Sequence, residues 1–336
     1  MTEPSRLPGP SWLFWTLLIS PVPVFVVSMM LGTYGASPPE VVAAVWARLT
    51  GQGQDISVVV MDIRLPRVVA SLLVGGAVAT AGAVLQGVLR NPLVDPFVLG
   101  LSSGGAFGAA LSIAVLPWLP VQVSAFAFAL AALGLSYGMA RVRGAVPIVN
   151  LVLSGVITSA VFTALLSIVE ITAHERSLQA IVLWTMGSFN GVTWAALQHA
   201  WWPIVLGCGV LIALRWRLNV LAMGDDEARS AGLPVERYKA VFIVGAALVS
   251  ACAVALCGVV ALLGLIVPHM VRMVIGPDHR ILVPASAALG ASLLALVDDV
   301  ARSAFGFEIP VSIITTLIGA PFFWLLLRST KAGRWQ

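Results

Sequence analysis

The densest group of ionisable side chains lies between Arg215 and Lys239, where nine of 25 residues carry a charge. Such residues cannot lie in hydrocarbon, because each Asp, Lys or Arg at the centre of a membrane-spanning helix costs about 2.5–3.5 kcal/mol on insertion scales. Within the run, Asp225 or Asp226 is predicted to cap a short helix that Gly232 ends. We therefore predict a water-facing platform between two membrane-embedded halves, and a plain solvated loop is the alternative.

The patterns of an enzyme or a nucleotide-binding loop do not occur in the sequence. His174 and Glu175 begin like the HExxH motif of zinc proteases, but Leu178 stands where the second histidine belongs. The two lysines, Lys239 and Lys331, do not follow the glycine spacing of a phosphate-binding loop. The three cysteines lie in apolar runs without a CxxC pair, so they are predicted to be small buried hydrophobes. We expect no catalytic residues, no metal site and no ATPase within this chain.

Composition indicates that these charged residues belong to a membrane protein. The chain has 336 residues, of which 59% are hydrophobic and 10% are charged, and its mean hydropathy is +0.99. A soluble domain carries about 25% charged residues. We therefore predict an all-α polytopic membrane protein with a single transmembrane domain over residues 1–336. The net charge of +4 does not indicate nucleic-acid binding, because the basic residues fall mostly in short loops between apolar runs.

Ten apolar runs of about 17–24 residues predict about ten transmembrane helices, since this length crosses a bilayer. Gly258 is the predicted turn in a stretch too long for one span. Two connections are longer than turns: segment 35–67 is polar, and segment 170–191 is predicted to form an interfacial helix with Trp184 at the headgroup level. The runs lie near 12–32, 66–88, 97–116, 121–140, 147–169, 194–214, 240–257, 259–275, 281–300 and 310–328.

Basic residues set the predicted orientation, because they are enriched in cytoplasmic loops. If the N-terminus is cytoplasmic, fourteen of the 19 basic residues lie inside and five lie outside. We therefore expect both termini and the platform to be cytoplasmic. The inside residues are Arg6, Arg90, Arg141, Arg143, Arg215, Arg217, Arg229, Arg237, Lys239, Arg272, Arg280, Arg328, Lys331 and Arg334, and the outside residues are Arg48, Arg64, Arg67, Arg176 and Arg302.

Three of the outside arginines stand at the ends of predicted spans. Arg64 and Arg67 precede the second span, and Arg302 follows Asp298 and Asp299 near the end of the ninth. They could form a cationic rim that meets acidic groups of a soluble partner. Alternatively they could anchor helix ends, with Arg302 paired to Asp298 one turn back. The spacing alone leaves both interpretations open.

Small residues and one histidine inside the spans are predicted to serve packing. Gly100, Gly104 and Gly108 lie four residues apart, which lets helix backbones approach closely, and packing within the chain is favoured over a dimer seam. His269 follows Pro268 inside the eighth span. An ionisable side chain at such a position is a functional candidate, but a packing histidine beside a proline kink is the favoured interpretation.

Six ordered stretches of the sequence resemble the ten-span permease subunits of type II ABC importers, the FecCD-like family that moves ferric siderophores, haem and cobalamin. The resemblance covers nearly the whole chain. It implies the type II importer permease fold, a homodimer with a second copy of this chain, and a translocation path on the two-fold axis. The stretches are 64–107 (beginning RLPRVVASLL), 183–191 (LWTMGSFNG), 218–234, 264–272 (GLIVPHMVR), 278–302 and 308–328.

The resemblance also implies roles for three groups of residues. Segment 218–238 would be the cytoplasmic coupling segment gripped by an ATPase; arginines of the outer face would receive acidic residues of a binding protein; and the helix over 147–169 would line the path. The coupling residues are Leu218, Leu221, Met223, Gly224, Asp225, Glu227, Ala228, Arg229, Gly232, Leu233 and Pro234; the docking residues are Arg64, Arg67 and Arg302; the pathway residues are Ser154, Thr158, Ser159, Phe162 and Ser167.

The partners and the mechanism follow from the same resemblance. Two cytoplasmic ATPase subunits would bind ATP and Mg²⁺, a periplasmic binding protein would deliver the substrate, and this chain would bind no cofactor itself. The chain would lie in a bacterial inner membrane and work by alternating access, a rigid-body change between two states that a ligand biases.

An iron-bearing chelate, either haem or a ferric siderophore, is the favoured substrate, and cobalamin is the alternative. The sequence of the predicted path contains no cage of His and Tyr residues that would identify the substrate. A secondary transporter would need ionisable coupling residues within the spans. An intramembrane enzyme would need a nucleophile with its base, or a metal cluster. We find neither pattern in the sequence and favour the importer permease over both classes.

Overall fold

The computed structural model of the protein describes residues 11–32, 37–51, 55–143, 145–304 and 307–329. Parts of the predicted domain, 1–10 and 330–336, lie outside the described residues, as do 35–36 and 52–54 of the predicted outer segment. Within the described ranges the secondary structure is helical, and an isolated backbone bridge joins Val142 and Ala145. The all-α prediction is confirmed.

Fifteen α-helices follow one another in the described residues. A π-helical turn at Val59–Arg64 continues from α4 into α5, and a 3₁₀ turn at Pro96–Leu99 precedes α6. The helices are α1 (Ser11–Ile19), α2 (Pro21–Met30), α3 (Pro38–Leu49), α4 (Asp55–Val58), α5 (Leu65–Val88), α6 (Leu101–Ala114), α7 (Val121–Ala140), α8 (Ile148–Thr172), α9 (Glu175–Thr185), α10 (Trp194–Met223), α11 (Asp225–Ser230), α12 (Val235–Cys257), α13 (Leu263–Ile275), α14 (His279–Ser303) and α15 (Val311–Ser329).

The helices account for all ten predicted spans. Seven helical stretches in the described residues are long and apolar enough to cross a membrane, and α6, α13 and the apolar part of α15 are shorter apolar helices. Each of these ten corresponds to one predicted run. Gly258, with a φ of 78°, ends α12, so the predicted turn is confirmed.

The helices around the platform are longer than predicted. Helix α10 continues to Met223 rather than 214, and α12 begins at Val235 rather than 240. The extension of α10 carries Arg215, whose Nε donates to the carbonyl oxygen of Arg280 at 2.9 Å. The guanidinium of Arg280 stacks on Trp216, 3.9 Å from the ring centre. The helix can therefore continue through these basic residues, because their long side chains reach polar partners beyond its apolar part.

Segment 35–67 was predicted to be a polar connection, but most of its described part is helical. Helix α3 begins with a capping box, in which the backbone N of Ser37 donates to Oε2 of Glu40 at 2.7 Å. In addition, Oγ of Ser37 donates to the same carboxylate oxygen at 2.8 Å. These two hydrogen bonds lower the pKa of the Glu40 carboxyl below its ordinary value. One face of α3 is buried through Val41, Ala44 and Ala47. The prolines at 38 and 39 mark this helix start rather than a loop.

Helix α5 forms the centre of the bundle. It is buried along most of its length and packs against α10, α12, α13 and α14. Two glycines let its backbone touch neighbouring backbones: a Cβ on Gly75 would overlap the carbonyl oxygen of Gly290 in α14, and a Cβ on Gly82 would overlap that of Gly264 in α13. Because these contacts are between backbones, a larger residue cannot be accommodated by a rotamer change.

Helices α6 and α7 pack through the glycines that the sequence singled out. Cβ atoms on Gly104 and Gly108 would lie 2.5 Å from the carbonyl oxygens of Phe128 and Ser124 in α7. Gly100 takes the left-handed conformation, with a φ of 84°, and lies against Thr158 of α8. The prediction that these glycines pack within the chain is therefore confirmed.

We expect Gly82→Ala to lower the free energy of unfolding by about 1–3 kcal/mol, the usual cost of inserting a methyl group into a closed contact. Gly134→Ala is the matched control, because a Cβ on Gly134 of α7 meets no atom within 4 Å. Denaturant titration of both variants in the same detergent measures the difference. Equal stability of the two variants would contradict the close packing of α5 on α13.

Candidate functional site: a charged platform and a buried charge network

Ionisable side chains gather at the two ends of α5. This helix has 24 residues, a length of about 36 Å at 1.5 Å per residue. The end of the bundle beyond Val88, which includes α11, is called the platform end. The end at Leu65, which includes Arg67, is called the far end. Each of the two ends contains one group of predicted site residues.

The coupling residues form one continuous platform. Leu218 and Leu221 are buried in the last turns of α10, whereas Met223 is 69% exposed. Gly224 then turns the chain with a φ of 134° and occupies the N-cap of α11. The prediction of an aspartate cap was therefore wrong. The Asp225 side chain instead pairs with cations of other elements.

Asp225 joins the short helix α11 to two neighbouring elements. Its Oδ2 lies 2.5 Å from Nζ of Lys239 in α12, and its Oδ1 lies 3.5 Å from Nη2 of Arg90, just beyond α5. A second pair lies on the exposed side of α11, where Nη1 of Arg229 is 2.8 Å from Oδ1 of Asp226. The same arginine lies 3.7 Å from Glu236. The platform is therefore fixed by ion pairs as well as by buried leucines.

The end of α11 has the predicted form. Gly232 is left-handed, with a φ of 80°, and the backbone N of Leu233 donates to the carbonyl oxygen of Ala228 at 2.9 Å. This is the hydrogen bond that closes a helix ended by a left-handed glycine. Pro234 then precedes α12, whose first turn carries Glu236. Segment 218–238 is a helix end, a six-residue helix and a helix start.

Segment 89–100 connects the platform to α8, a role that the sequence did not indicate. Arg90 is left-handed, with a φ of 49°, which is uncommon for a residue other than glycine. The Oδ1 of Asp95 accepts from the backbone N of Phe97 at 2.9 Å, whereas its Oδ2 is enclosed and has no hydrogen-bond partner. Burial raises the pKa of the Asp95 carboxyl to about 6. The Asn-Pro and Asp-Pro pairs at 91–92 and 95–96 indicate turns but not their partners.

At the far end, Arg67 lies in a buried network of carboxylates. Its Nε and Nη2 bind the two oxygens of Asp298 in α14 at 2.9 and 2.8 Å, and Nη2 is 2.8 Å from Oε1 of Glu308. That Oε1 also accepts from Oγ of Ser188, which follows α9, at 3.1 Å. Asp298 is 1% exposed and Arg67 is 9% exposed. One bidentate arginine therefore joins α5, α14 and the start of α15.

The other two predicted docking arginines complete this end of the bundle. Nη2 of Arg302 lies 2.5 Å from Oδ1 of Asp299, and the second oxygen of Asp299 accepts from Oγ of Ser28 at 2.6 Å. Nη1 of Arg64 donates to the carbonyl oxygen of Met29 at 2.7 Å. The predicted pairing of Arg302 with Asp298 was wrong. Asp298 is engaged by Arg67, so Arg302 pairs three residues back instead of four.

Burial of the three arginines bears on their predicted docking role. Arg64, Arg67 and Arg302 are between 4% and 9% exposed. Their guanidinium groups bind oxygen atoms within the chain and do not project from its surface. The anchoring interpretation therefore describes the contacts found in the single chain, and docking stays a prediction.

The five predicted pathway residues divide between two sides of α8. Ser154, Thr158 and Phe162 are buried, and the Phe162 ring lies 5.8 Å from that of Phe107 in α6. At these three positions the structure gives packing contacts rather than an open surface, because α8 turns its small polar residues toward α6 and the 3₁₀ turn. Ser159 is half-buried and Ser167 is exposed.

His269 is a packing residue, as predicted, but its ring is not fully satisfied, because its buried Nδ1 has no hydrogen-bond partner within the described residues. It is 8% exposed, and its ring centre lies 6.1 Å from those of Phe322 and Phe323 in α15. In the part of the chain that the structure describes, no group of three His, Cys, Asp or Glu residues is arranged to hold a metal ion. Cys252 and Cys257 are buried and Cys208 is half-buried, and all three are free thiols.

We expect Arg67→Met to lower the free energy of unfolding by about 3–5 kcal/mol, because the change leaves the buried Asp298 without a cation. The matched control is Asp62→Asn, which removes an exposed pair between Arg48 and Asp62 at 3.5 Å and should cost at most about 1 kcal/mol. Denaturation in detergent measures both variants. The buried network has no structural role if Arg67→Met costs no more than the control.

Three curated relatives align with most of the chain. The molybdate import system permease protein MolB of Haemophilus influenzae is 38% identical over 314 residues, which cover 92% of this chain and 93% of that protein. The cobalamin import system permease protein BtuC of Halobacterium salinarum is 42% identical over 84% of this chain and 76% of its own. The hemin transport system permease protein HmuU of Yersinia pestis is 37% identical over 81% of this chain and 84% of its own.

A solved structure has the same fold over the whole bundle. It is a chain of an ABC transporter described as of metal-chelate type, in an inward-facing conformation. The TM-score is 0.84 at 34% identity, and the alignment covers 96% of this chain and 100% of that one.

The sequence profile of the FecCD transport family matches residues 17–329. The matched range includes the platform, segment 89–100 and the buried charge network at the far end. The relatives named above are permease proteins, so the ATPase of such a transporter is a separate chain. From these observations, the chain belongs to the FecCD transport family, as a permease component of an ABC importer.

Proposed function

We propose that the chain is the membrane-spanning permease of an ATP-driven importer for an iron-bearing chelate, either haem or a ferric siderophore. Membership of the FecCD family over residues 17–329 carries the proposal. The metal-chelate description of the similar solved transporter and the hemin permease among the relatives support the choice of substrate. Cobalamin is the second candidate, because the cobalamin permease is 42% identical to this chain.

An ATPase subunit docks on the platform in this proposal. Helix α11 offers it the Asp226 side chain, which is 94% exposed, and the neighbouring end of α10 offers Met223, which is 69% exposed. The same helix is held from behind by Lys239 and the buried leucines, so a force on its exposed side displaces the elements beneath it. The ATPase supplies ATP and Mg²⁺, and this chain contributes the docking surface and the path.

The charge distribution supports the proposed orientation, and the family supports the proposed location. Basic residues are concentrated on the side of the platform, which favours a cytoplasmic platform and cytoplasmic termini. The proposed location is a bacterial inner membrane. The far end then faces the periplasm, where a substrate-binding protein would deliver the chelate.

A second copy of this chain completes the path. Helix α8 leaves a broad apolar surface uncovered in the single chain, including Leu153, Ile157 and Ile168. Ser159 and Ser167 lie outside the buried face of this helix and are its polar exceptions. A mostly apolar wall binds a bulky chelate weakly, so the chelate can leave once the path opens. We assign Ser159 and Ser167 to the pathway and leave Ser154, Thr158 and Phe162 to packing.

Docking of the binding protein on Arg64, Arg67 and Arg302 is part of the proposal and has a specific structural cost. These side chains would have to exchange the internal partners Asp298, Asp299 and the carbonyl oxygen of Met29 for acidic groups of the binding protein. Reversing their charge would also break the buried network, so that change cannot by itself test docking.

The test is uptake into vesicles that contain the permease, its ATPase and its binding protein. Haem, a ferric hydroxamate siderophore, cobalamin and molybdate are supplied separately, with ATP and with a hydrolysis-deficient ATPase. We expect ATP-dependent entry of an iron chelate and no entry with the deficient ATPase. Entry of cobalamin or molybdate alone would overturn the substrate assignment but not the importer. Uptake that does not depend on ATP hydrolysis would favour a secondary transporter and overturn the proposal.

A further inference from the structure

Lys239 occupies an unusual position for an ammonium group. It is one of two lysines in the chain and lies in the second turn of α12, where only 5% of the residue is exposed. A buried ammonium is tolerated when an opposite charge is in contact with it. Its Nζ lies 2.5 Å from Oδ2 of Asp225, the first residue of α11. The burial of Lys239 therefore fixes the start of α11 against α12.

The same carboxylate has a second cationic partner on a different element. Nη2 of Arg90 lies 3.5 Å from Oδ1 of Asp225. The left-handed conformation of Arg90 ends α5, where its backbone N donates to the carbonyl oxygen of Gly87 at 3.3 Å. The side chain leaves this turn toward α11. Asp225 thus joins α11 to α12 on one side and to the end of α5 on the other.

The segment that begins with Arg90 also rests on α8. Its 3₁₀ turn places the carbonyl oxygen of Val98 against Gly155, where a Cβ would overlap it. Gly100 lies against Thr158: a Cβ added to Gly100 would be 3.1 Å from Cγ2 of Thr158. The carbonyl oxygen of Leu99 accepts from Oγ of Ser136 in α7 at 2.9 Å. Segment 89–100 therefore connects Arg90 to the proposed pathway helix, which it contacts at Val98 and Gly100.

We infer that Arg90, Asp225 and Lys239 form a charge clamp that transmits movement of α11 to α5, α12 and α8. Asp225 is the positioning residue at its centre. The inference rests on the proposed function, because the movement comes from the ATPase docked on α11. Without the clamp, α11 can tilt on its Gly224 hinge and absorb the movement. ATP hydrolysis then continues while the path no longer responds.

The test compares uptake per ATP hydrolysed in reconstituted complexes of the full chain. We expect Asp225→Asn and Lys239→Met to keep the ATPase bound and hydrolysing, while uptake per ATP falls about tenfold, the order expected for the loss of one charge-assisted hydrogen bond. Lys239→Arg keeps the cation and should retain uptake per ATP within about twofold on the same reasoning. A purely structural pair would instead change assembly and leave the ratio unaltered.

Asp62→Asn is the control, since it removes a carboxylate from an exposed pair at a site remote from α11, with the same 3.5 Å separation as the Arg90–Asp225 pair. If Asp225→Asn and Lys239→Met assemble with wild-type uptake per ATP, the clamp is refuted. If they fail to assemble, Arg90→Gln decides, because Arg90 is 39% exposed and its loss removes the longer pair. An unchanged ratio in that variant refutes the clamp, and a reduced ratio supports it.

Failure of the proposed function gives a different result. A wild-type complex without any ATP-driven uptake would overturn the importer and remove the source of the movement. The attachment of α11 is then measured by amide hydrogen exchange on the permease alone. Faster exchange in α11 of Asp225→Asn, with unchanged exchange in α6, shows that the clamp holds the helix. Unchanged exchange in α11 refutes it.

Discussion

A charge inside an apolar bundle needs a counter-charge within the bundle, because removing an unpaired ion from water costs several kcal/mol. This constraint organises both ends of the molecule. At the far end Arg67, with Asp298 and Glu308, joins α5 to α14 and to the start of α15. At the platform end Asp225 and Lys239 join α11 to α12. Each group of ion pairs also holds its helices together, since separating the paired side chains would leave a buried charge without a counter-charge.

Helix α5 connects the two ends because its backbone lies against its neighbours. Gly75 and Gly82 bring it into contact with the backbones of α14 and α13, so relative sliding of these helices would meet backbone atoms rather than flexible side chains. Close-packed interiors of this kind transmit displacement instead of absorbing it. We infer that the platform, α5 and the far-end network move as one body. The uncovered face of α8 is the surface that the proposed second copy of the chain would contact.

The sequence predicts the helices much better than it predicts which side chains pair with one another. The ten spans follow from hydropathy alone, and Gly232 and Gly258 end their helices as expected, because these signals are local. The pairs Arg67–Asp298 and Lys239–Asp225 join residues 231 and 14 positions apart, and no local pattern identifies them. Asp225 was predicted to be a cap because an aspartate at a helix start usually accepts a hydrogen bond from the nearby backbone. In the structure it pairs with the buried Lys239 instead. Ser154 and Thr158 were assigned to the path because the resemblance places their helix there, and in the single chain both are buried.

The measurement that tests this account most directly is the distance between spin labels on α11 and α14 within one chain. In one sample the labels replace the exposed Asp226 and Val300, the native cysteines are substituted, and labelled copies are diluted with unlabelled ones in the complex with its ATPase. A second, undiluted sample carries the label at position 226 alone and gives the distance between copies. On addition of a non-hydrolysable ATP analogue, the account predicts a constant 226–300 distance, while the 226–226 distance between copies changes. A 226–300 distance that changes as much as the distance between copies would show that α11 moves independently of the bundle, and would contradict the account.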